Sequence, residues 1–97
     1  PEPYLIGDAA AGGWDAQLAD VDKFKLNAEG EYVSPVCKEG NLRMCVKLEN
    51  CDWWQTEFNV FDGKILFRGK GNDQDAVKVA AGQTVKLNFK DNTGSIQ

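Results

Sequence analysis

Short apolar runs separated by turn residues recur along the whole chain, and this pattern restricts its fold more than any other feature of the sequence. In the clearest run, Asn41 to Leu48, apolar and other side chains alternate with the period of two that a β-strand produces. One face of this strand carries Leu42, Met44, Val46 and Leu48, and the other carries Arg43, Cys45 and Lys47. Turn signals recur about every eight to twelve residues, which is typical of an all-β sandwich.

Other short runs predict the remaining strands. They are Tyr4 to Ile6, Phe24 to Leu26, Tyr32 to Val36, Trp53 to Phe58, Lys64 to Arg68, Val77 to Val79, Val85 to Phe89, and the tail at Ile96. The dipeptide Asp62-Gly63 predicts a tight hairpin, because both residue types accept the backbone of a two-residue turn. Asp15 to Asp22 has too few apolar residues to form more than a single helical turn.

The chain has 97 residues, which fits one domain over residues 1–97 with a single core between two layers. A composition of 42% hydrophobic and 27% charged residues predicts that this domain folds. The sequence has no run of about 18 apolar residues that could span a bilayer. Since no export or lipidation signal precedes Pro1, we expect any membrane attachment to come only from a lipid anchor outside this chain.

Charge and composition exclude several classes of function. A formal net charge of -4 and a pI near 4.7 would repel a polyanion, so we expect no nucleic-acid partner. The chain contains no histidine, the commonest general base and nitrogen ligand of proteins. It also has too little bulk to enclose a substrate between paired carboxylates. We therefore predict a binding protein that is not an enzyme and carries no cofactor.

The sequence does not predict a metal site or a disulfide framework. Its three cysteines have irregular spacing and form no CxxC pair, which predicts mostly buried or incidental thiols at Cys37, Cys45 and Cys51. Asp52, Asp73 and Asp75 lack the ligand spacing and the closing glutamate of a helical calcium loop. We therefore predict that no residue of this chain ligates a metal.

The three tryptophans are the strongest candidates for a binding site. Trp14 lies in a small-residue loop after Gly12-Gly13, and Trp53 and Trp54 are adjacent, so in a strand only one of these two faces the core. An exposed indole offers a flat apolar face on which the C–H face of a sugar can stack. The alternative is that any of the three closes one end of a small core. Arg43 and Lys47 on the outward face of a strand are typical of solvated charges that protect a sheet from edge pairing, and their shared face is merely compatible with a site.

Three segments give the chain a family resemblance. Tyr4 to Ala9 followed by Gly13-Trp14-Asp15, then Asp52-Trp53-Trp54, and the tail Val79 to Phe89 resemble the repeated domains of SusE and SusF. These are surface starch-binding lipoproteins of Gram-negative glycan-utilisation systems. The resemblance covers nearly the whole chain, and its most specific part is the opening Leu-x-Gly-Asp-Ala with the following Gly-Trp-Asp.

The resemblance implies an immunoglobulin-like β-sandwich that binds starch, maltooligosaccharide or a related glycan without catalysis. It implies a location at the cell surface on the outer membrane, with other outer-membrane glycan-uptake proteins as further partners. The site residues that it implies are Trp14, Trp54 or Trp53, Lys47 or Arg43, Arg68, Asn72, Asp73 and Gln74. Of the adjacent pair, Trp54 is preferred, because it follows Lys47 by the spacing seen in the family.

The sequence leaves two hypotheses of different classes. In the first, exposed tryptophans form an open platform for an α-glucan. In the second, the domain is an immunoglobulin-like spacer or protein-interaction domain of a multidomain surface lipoprotein and has no sugar site. The position of Cys45 between Arg43 and Lys47 departs from the binding patterns of the family. The exposure of the tryptophans separates the two hypotheses.

Overall fold

A computed structural model describes residues 1–15, 17–34 and 38–97 of the protein. Nine strands are found there: β1 (Pro3–Ile6), β2 (Lys25–Leu26), β3 (Tyr32–Val33), β4 (Gly40–Val46), β5 (Glu57–Phe61), β6 (Lys64–Phe67), β7 (Val77–Val79), β8 (Val85–Asn88) and β9 (Thr93–Ile96). Two short 3₁₀ turns, Asp20–Asp22 and Trp53–Thr56, are the only helical elements within these residues. The all-β prediction is confirmed. No helix of the described residues is long and apolar enough to cross a membrane.

The strands form one antiparallel sheet that folds over on itself. Its order is β1-β4-β5-β6-β9-β8-β3-β2, with β7 also paired to β4. A single pair, Lys64 with Thr93, joins the half that contains β4 to the half that contains β8. Apolar side chains of both halves meet in the core: Leu5, Leu42, Met44, Phe58, Val60 and Ile65 from one half, and Val85 and Leu87 from the other. The two layers of the predicted sandwich are therefore the two halves of one hydrogen-bonded sheet.

The hairpin between β5 and β6 has the predicted turn. Asp62 and Gly63 both have positive φ angles, of 51° and 78°. These angles fit the two central positions of a type I′ turn, whose twist matches that of the flanking strands. Phe61 pairs with Lys64 across the turn, so the register of the hairpin is fixed from its first residue pair.

β4 pairs with three other strands, β1, β5 and β7, and its alternation is only partly as predicted. Leu42, Met44 and Val46 are buried as expected, but Leu48 lies beyond the end of the strand and is 54% exposed. Cys45 points away from them and is nevertheless fully buried. It forms a second, smaller apolar cluster with Tyr4 and Ile6 of β1, and Leu18 and Trp53 pack against this cluster. The sheet therefore has apolar cover on both faces at this point.

The prediction of a strand from Trp53 to Phe58 is wrong for its first four residues. Trp53–Thr56 is a 3₁₀ turn, and β5 begins only at Glu57. The backbone N–H of Gln55 donates to the carbonyl of Asp52 at 3.0 Å, and the Asp52 N–H donates to Oε1 of Gln55 at 2.7 Å. These local hydrogen bonds close a turn in a segment whose aromatic residues are more typical of a strand. Val36 and Cys37, which the sequence placed in or near a strand, lie outside the described residues.

Candidate functional site

Two tryptophans from distant parts of the chain meet above the second apolar cluster. Trp14 comes from the loop after β1, and Trp53 begins the 3₁₀ turn before β5. Their ring centroids are 5.4 Å apart, with an angle of 62° between the planes. Trp14 is 52% exposed, whereas Trp53 is half-buried against the cluster of Tyr4, Ile6 and Cys45. The pair therefore presents angled aromatic surface on a fixed apolar base.

The loop that carries Trp14 is held by backbone bonds and by one buried carboxylate. The N–H of Gly7 donates to the carbonyl of Gly13 at 2.8 Å, which closes the loop at its base. Asp22 is buried and accepts the N–H groups of Ala11 and Gly12, each at 2.9 Å. These bonds give the glycine-rich loop a defined conformation although it has few apolar side chains of its own.

Gly7 lies where Trp14 approaches the end of β1. Its φ angle is +92°, and a Cβ at this position would lie 3.2 Å from the Trp14 ring and 3.5 Å from Cδ of Arg43. A larger residue would therefore be strained in its backbone and would also press on both side chains. The indole Nε1 of Trp14 also donates to Oδ1 of Asp8, the residue adjacent to Gly7, at 3.2 Å.

Arg43 is the cation nearest to the two tryptophans. Its guanidinium carbon lies 5.4 Å from the ring centroid of Trp14 and 5.9 Å from that of Trp53. Both distances are within the range of cation–π attraction. Arg43 pairs with Ile6 across the β1–β4 ladder, so its side chain leaves the sheet on the face of the second apolar cluster.

A buried glutamate joins Arg43 to a second arginine. Glu57, at the first position of β5, is 1% exposed. Its Oε2 accepts Nη1 of Arg43 at 3.1 Å, and its Oε1 accepts Nη1 of Arg68 at 3.0 Å. Outside this pair, Oδ1 of Asp73 lies 3.0 Å from Nη1 of Arg68 and 3.7 Å from Nη1 of Arg43. Two arginines thus share an inner and an outer carboxylate.

Sequence reasoning missed Glu57. The one available signal was a lone charge directly before the apolar residues of β5, where a strand that enters a core ordinarily begins with an apolar or neutral residue. Its role depends on register, because Glu57 stands opposite Cys45 of β4 while its carbonyl accepts the N–H of Arg68 after β6. Strand pairing of this kind is set by the whole fold rather than by local sequence.

Trp54 lies at the Arg68 end of this group. Its side chain is 43% exposed, and its ring centroid is 5.9 Å from the guanidinium carbon of Arg68. Nε of Arg68 also donates to the carbonyl of Gly71 at 3.2 Å, which ties the arginine to the loop after β6. The structure therefore separates the adjacent tryptophans, with Trp53 beside Trp14 and Arg43, and Trp54 beside Arg68.

The remaining residues named from the sequence are placed differently. Lys47 is exposed and its ammonium lies 5.8 Å from the ring of Tyr4, at a cavity that Trp53 also lines. Asn72 is exposed in the same loop as Asp73. Gln74 donates from Nε2 to the carbonyl of Leu66 at 2.9 Å, and its Oε1 is buried without a partner among the described residues. Gln74 lines a small cavity together with Arg43 and Glu57.

The side chains of this surface differ in the chemistry that they offer a ligand. Within the described residues, no group of three or more His, Cys, Asp or Glu side chains is arranged to hold a metal ion. Burial, with a smaller contribution from Glu57, raises the pKa of the Cys45 thiol to about 12, so this cysteine is not a nucleophile at neutral pH. Exposed indole faces next to oriented arginine donors suit a neutral ligand that has both apolar C–H faces and hydroxyl groups.

Comparison with known proteins identifies the family. A family model described as SusF/SusE starch specific CBMs, where CBM denotes a carbohydrate-binding module, matches residues 2–95. The chain belongs to this family. The curated outer membrane protein SusF of Bacteroides thetaiotaomicron is 48% identical over 103 aligned residues, which cover all of this chain and 21% of that protein. The crystal structure of SusF from the same organism superposes with a TM-score of 0.92 at 47% identity, over all of this chain and 23% of that one.

Membership of the SusF/SusE family confirms the resemblance seen in the sequence. A carbohydrate-binding module binds its ligand without cleaving it, so the domain is a non-catalytic carbohydrate-binding protein and not an enzyme. The solved SusF structure also confirms the fold over the full length of this chain. The chain spans about a fifth of the length of the SusF protein that it matches.

Proposed function

We propose that this domain holds an α-glucan, starch or maltooligosaccharide, on the exposed surface formed by Trp14 and Trp53, with Arg43 and Arg68 donating hydrogen bonds to sugar hydroxyls. The observation that carries the proposal is the meeting of Trp14, Trp53 and the Arg43 guanidinium within 6 Å of one another. Family membership supports the choice of starch, since the family description names starch as the ligand.

The geometry of the tryptophan pair favours a curved glycan. Two indole surfaces at 62° cannot both lie flat against a straight ribbon of sugars, whereas consecutive rings of a helical glucan turn relative to one another. Burying the C–H faces of glucose on the two rings removes apolar surface from water. The proposal therefore assigns the stacking to Trp14 and Trp53, and gives Trp54 a flanking position beside Arg68.

In this proposal the two arginines supply the hydrogen-bond donors that bind the sugar hydroxyls. Each guanidinium has five N–H donors, and the bonds to Glu57 and Asp73 use the Nη1 group of each arginine. No hydrogen bond of either Nη2 group is found among the described residues, and the proposal assigns these groups to the sugar hydroxyls. Oε1 of Gln74, which is buried without a partner among the described residues, lies in the small cavity that Arg43 also lines, where a single water could donate to it.

An open surface of this kind predicts weak binding by one domain. Little area is buried, and each sugar hydroxyl gives up a bond to water for every bond to protein. We propose that the domain acts at the cell surface on the outer membrane, as the printed name of its SusF relative suggests, with a lipid anchor elsewhere in a longer protein. Sister domains or other glycan-uptake proteins at that surface would then raise the avidity.

Isothermal titration of the domain with maltoheptaose, cyclodextrin, pullulan and unrelated glycans tests the proposal. Trp53→Ala and Trp54→Ala form a matched pair, because both lie in the same 3₁₀ turn. We expect saturable heat with α-glucans that is lost in Trp53→Ala and only reduced in Trp54→Ala. If only a glycan other than an α-glucan gives heat, the site binds that glycan instead. If the folded parent gives no heat with any glycan of the panel, the spacer function is favoured.

A further inference from the structure

Glu57 is the only residue of the described site whose side chain contacts both arginines while being almost completely shielded from water. Its side chain is 2% exposed, and each of its two carboxylate oxygens accepts one arginine. Arg43 lies on β4 and Arg68 directly follows β6, so the carboxylate between them is the shared point that sets their separation. Asp73 also lies close to both arginines, on their solvent side, but its side chain is 67% exposed.

We propose that Glu57 is the positioning residue of this site: it fixes Arg43 and Arg68 side by side and, with Asp73, cancels their charge, so that the site selects an uncharged, hydroxyl-rich ligand over an anionic one. This inference rests on the proposed function, since it assigns the positioning and the selectivity of the same surface. Glu57 itself touches no ligand in this proposal and acts through the two arginines.

The proposed positioning of the two arginines follows from the geometry of the Glu57 carboxylate. Two guanidinium groups repel each other, and their long side chains have several rotatable bonds that binding would otherwise have to immobilise. A buried carboxylate with both oxygens engaged holds each group in one orientation through a charge-assisted hydrogen bond. The ordering of the arginines is thereby complete before a ligand arrives, which lowers the entropic cost of binding.

The proposed selectivity for an uncharged ligand follows from the charges of the four side chains. Arg43 and Arg68 carry two positive charges, and Glu57 and Asp73 carry two negative charges, so the group is neutral. A uronate or sulfate group would gain no net attraction there and would meet the carboxylate of Asp73 on the solvent side. A neutral hydroxyl can still accept from the remaining guanidinium N–H groups, because hydrogen bonding to a hydroxyl needs no net positive charge.

Glu57→Gln removes the bridge and one negative charge with little change in volume, and comparison with Asp73→Asn separates the positioning effect from the charge effect. The amide has one acceptor oxygen where two arginines need two, and its NH₂ group faces the other guanidinium, so one arginine is released. Asp73→Asn removes the outer charge from an exposed position and does not disturb the interior. Asp62→Asn is the matched control for charge, since Asp62 is exposed in the β5–β6 turn and asparagine also suits its positive φ angle.

The experiment titrates the parent and the three variants with maltoheptaose and with trigalacturonate, at low and high salt. In the free proteins, the side-chain ¹⁵N–¹H signals of the arginines are recorded as well, with assignment by Arg43→Lys and Arg68→Lys. We expect Glu57→Gln to bind maltoheptaose about tenfold more weakly, the size of one lost hydrogen bond to a charged group. Both Glu57→Gln and Asp73→Asn should gain trigalacturonate binding that disappears at high salt, whereas the parent and Asp62→Asn should not.

The outcomes distinguish this inference from the proposed function. A folded Glu57→Gln protein with the affinity and selectivity of the parent would overturn the inference and leave the glucan site in place. If Glu57→Gln does not fold, failure of Asp73→Asn to bind trigalacturonate would overturn it. If the parent binds no glucan, the proposed function fails, and the arginine signals then decide the positioning role: sharp signals in the parent that broaden in Glu57→Gln support it, and equal signals in both contradict it.

Discussion

Trp14 and Trp53 meet edge to face with their ring centroids 5.4 Å apart, although one follows β1 and the other precedes β5. β1 and β5 both pair with β4, where Ile6 at the end of β1 stands opposite Arg43 and Glu57 at the start of β5 stands opposite Cys45. The loop after β1 and the turn before β5 therefore begin only two residues apart along β4. Arg43, on β4 between them, lies under both rings. Strand β4 thus brings together an aromatic pair that no local segment of the sequence contains.

We expect Gly7→Ala to weaken both the fold and the glucan site. A residue at φ +92° costs roughly 1–3 kcal/mol of stability when it carries a Cβ. The new Cβ would also press on Trp14 at 3.2 Å, so the affinity for maltoheptaose should fall. Urea unfolding and calorimetric titration measure the two effects.

Gly82→Ala is the matched control for this change. Gly82 has nearly the same φ angle, +88°, but nothing lies within 4 Å of the position of its Cβ. It should lose a similar amount of stability and keep the affinity of the parent. Equal affinity in Gly7→Ala and Gly82→Ala would show that contact between Gly7 and Trp14 does not matter for binding.

Asp22→Asn should loosen the loop that carries Trp14. The buried carboxylate accepts two backbone N–H groups, and an amide offers only one oxygen for them. Losing a charge-assisted bond in a buried position predicts a loss of about 1–3 kcal/mol in the free energy of unfolding. Asp20→Asn, at an exposed position of the same 3₁₀ turn, should change stability by much less. Chemical denaturation of the two variants side by side measures the difference, and equal losses would contradict this role.

The buried thiol of Cys45 predicts a loss of stability at alkaline pH. Burial raises the pKa of this thiol from its ordinary 9.0 to about 12 in the folded protein. Between pH 9 and 12 the unfolded chain therefore releases a proton that the folded protein keeps, so the free energy of unfolding falls as pH rises, by up to about 1.4 kcal/mol per pH unit.

Cys45→Ala removes this contribution. Other groups also titrate in the alkaline range, so the informative quantity is the difference in slope between the parent and the variant. From pH 9.0 to 10.5 we expect the parent to lose roughly 2 kcal/mol more than Cys45→Ala in urea unfolding. Parallel slopes would mean that the thiol ionises as readily in the folded state as in the unfolded one.

Arg43→Lys should reduce glucan affinity about tenfold, whereas Lys47→Ala should leave it within about twofold. A lysine keeps the charge of Arg43 but cannot reach Glu57 and present further planar donors at the same time. Lys47 lies away from the two arginines, near Tyr4. Titration with maltoheptaose compares the two, and a larger effect of Lys47→Ala would move the site towards the cavity that Lys47 and Trp53 line.

Much of the fold was predictable because its signals are local. The alternation along β4, the Asp62-Gly63 turn and the apolar run of β1 each determine their own structure within a few residues. The 3₁₀ turn at Trp53 was missed because the aromatic residues suggest a strand, while the Asp52–Gln55 bonds that close the turn are visible only in three dimensions.

The residues of the candidate site could be predicted only in part, and from residue type and the family resemblance rather than from local structure. Trp14, Arg43 and Arg68 were named from residue type and from the family resemblance, and the structure places all three in one connected group with Trp53. Glu57 could not be named, because its role follows from the pairing of β5 with both β4 and β6. The burial of Cys45 likewise depends on cover from Trp53, which no segment of sequence reveals.

The central claim is that Trp14 and Trp53 form the glucan surface, and a ¹⁵N–¹H titration of the three indole signals with maltoheptaose tests it most directly. Each tryptophan gives one indole Nε1–H signal, and Trp14→Phe, Trp53→Phe and Trp54→Phe variants assign them. We expect saturable shifts of the Trp14 and Trp53 signals with a common Kd, and a smaller shift of Trp54. Saturation that moves only the Trp54 signal, or binding that moves none of the three, would contradict the claim.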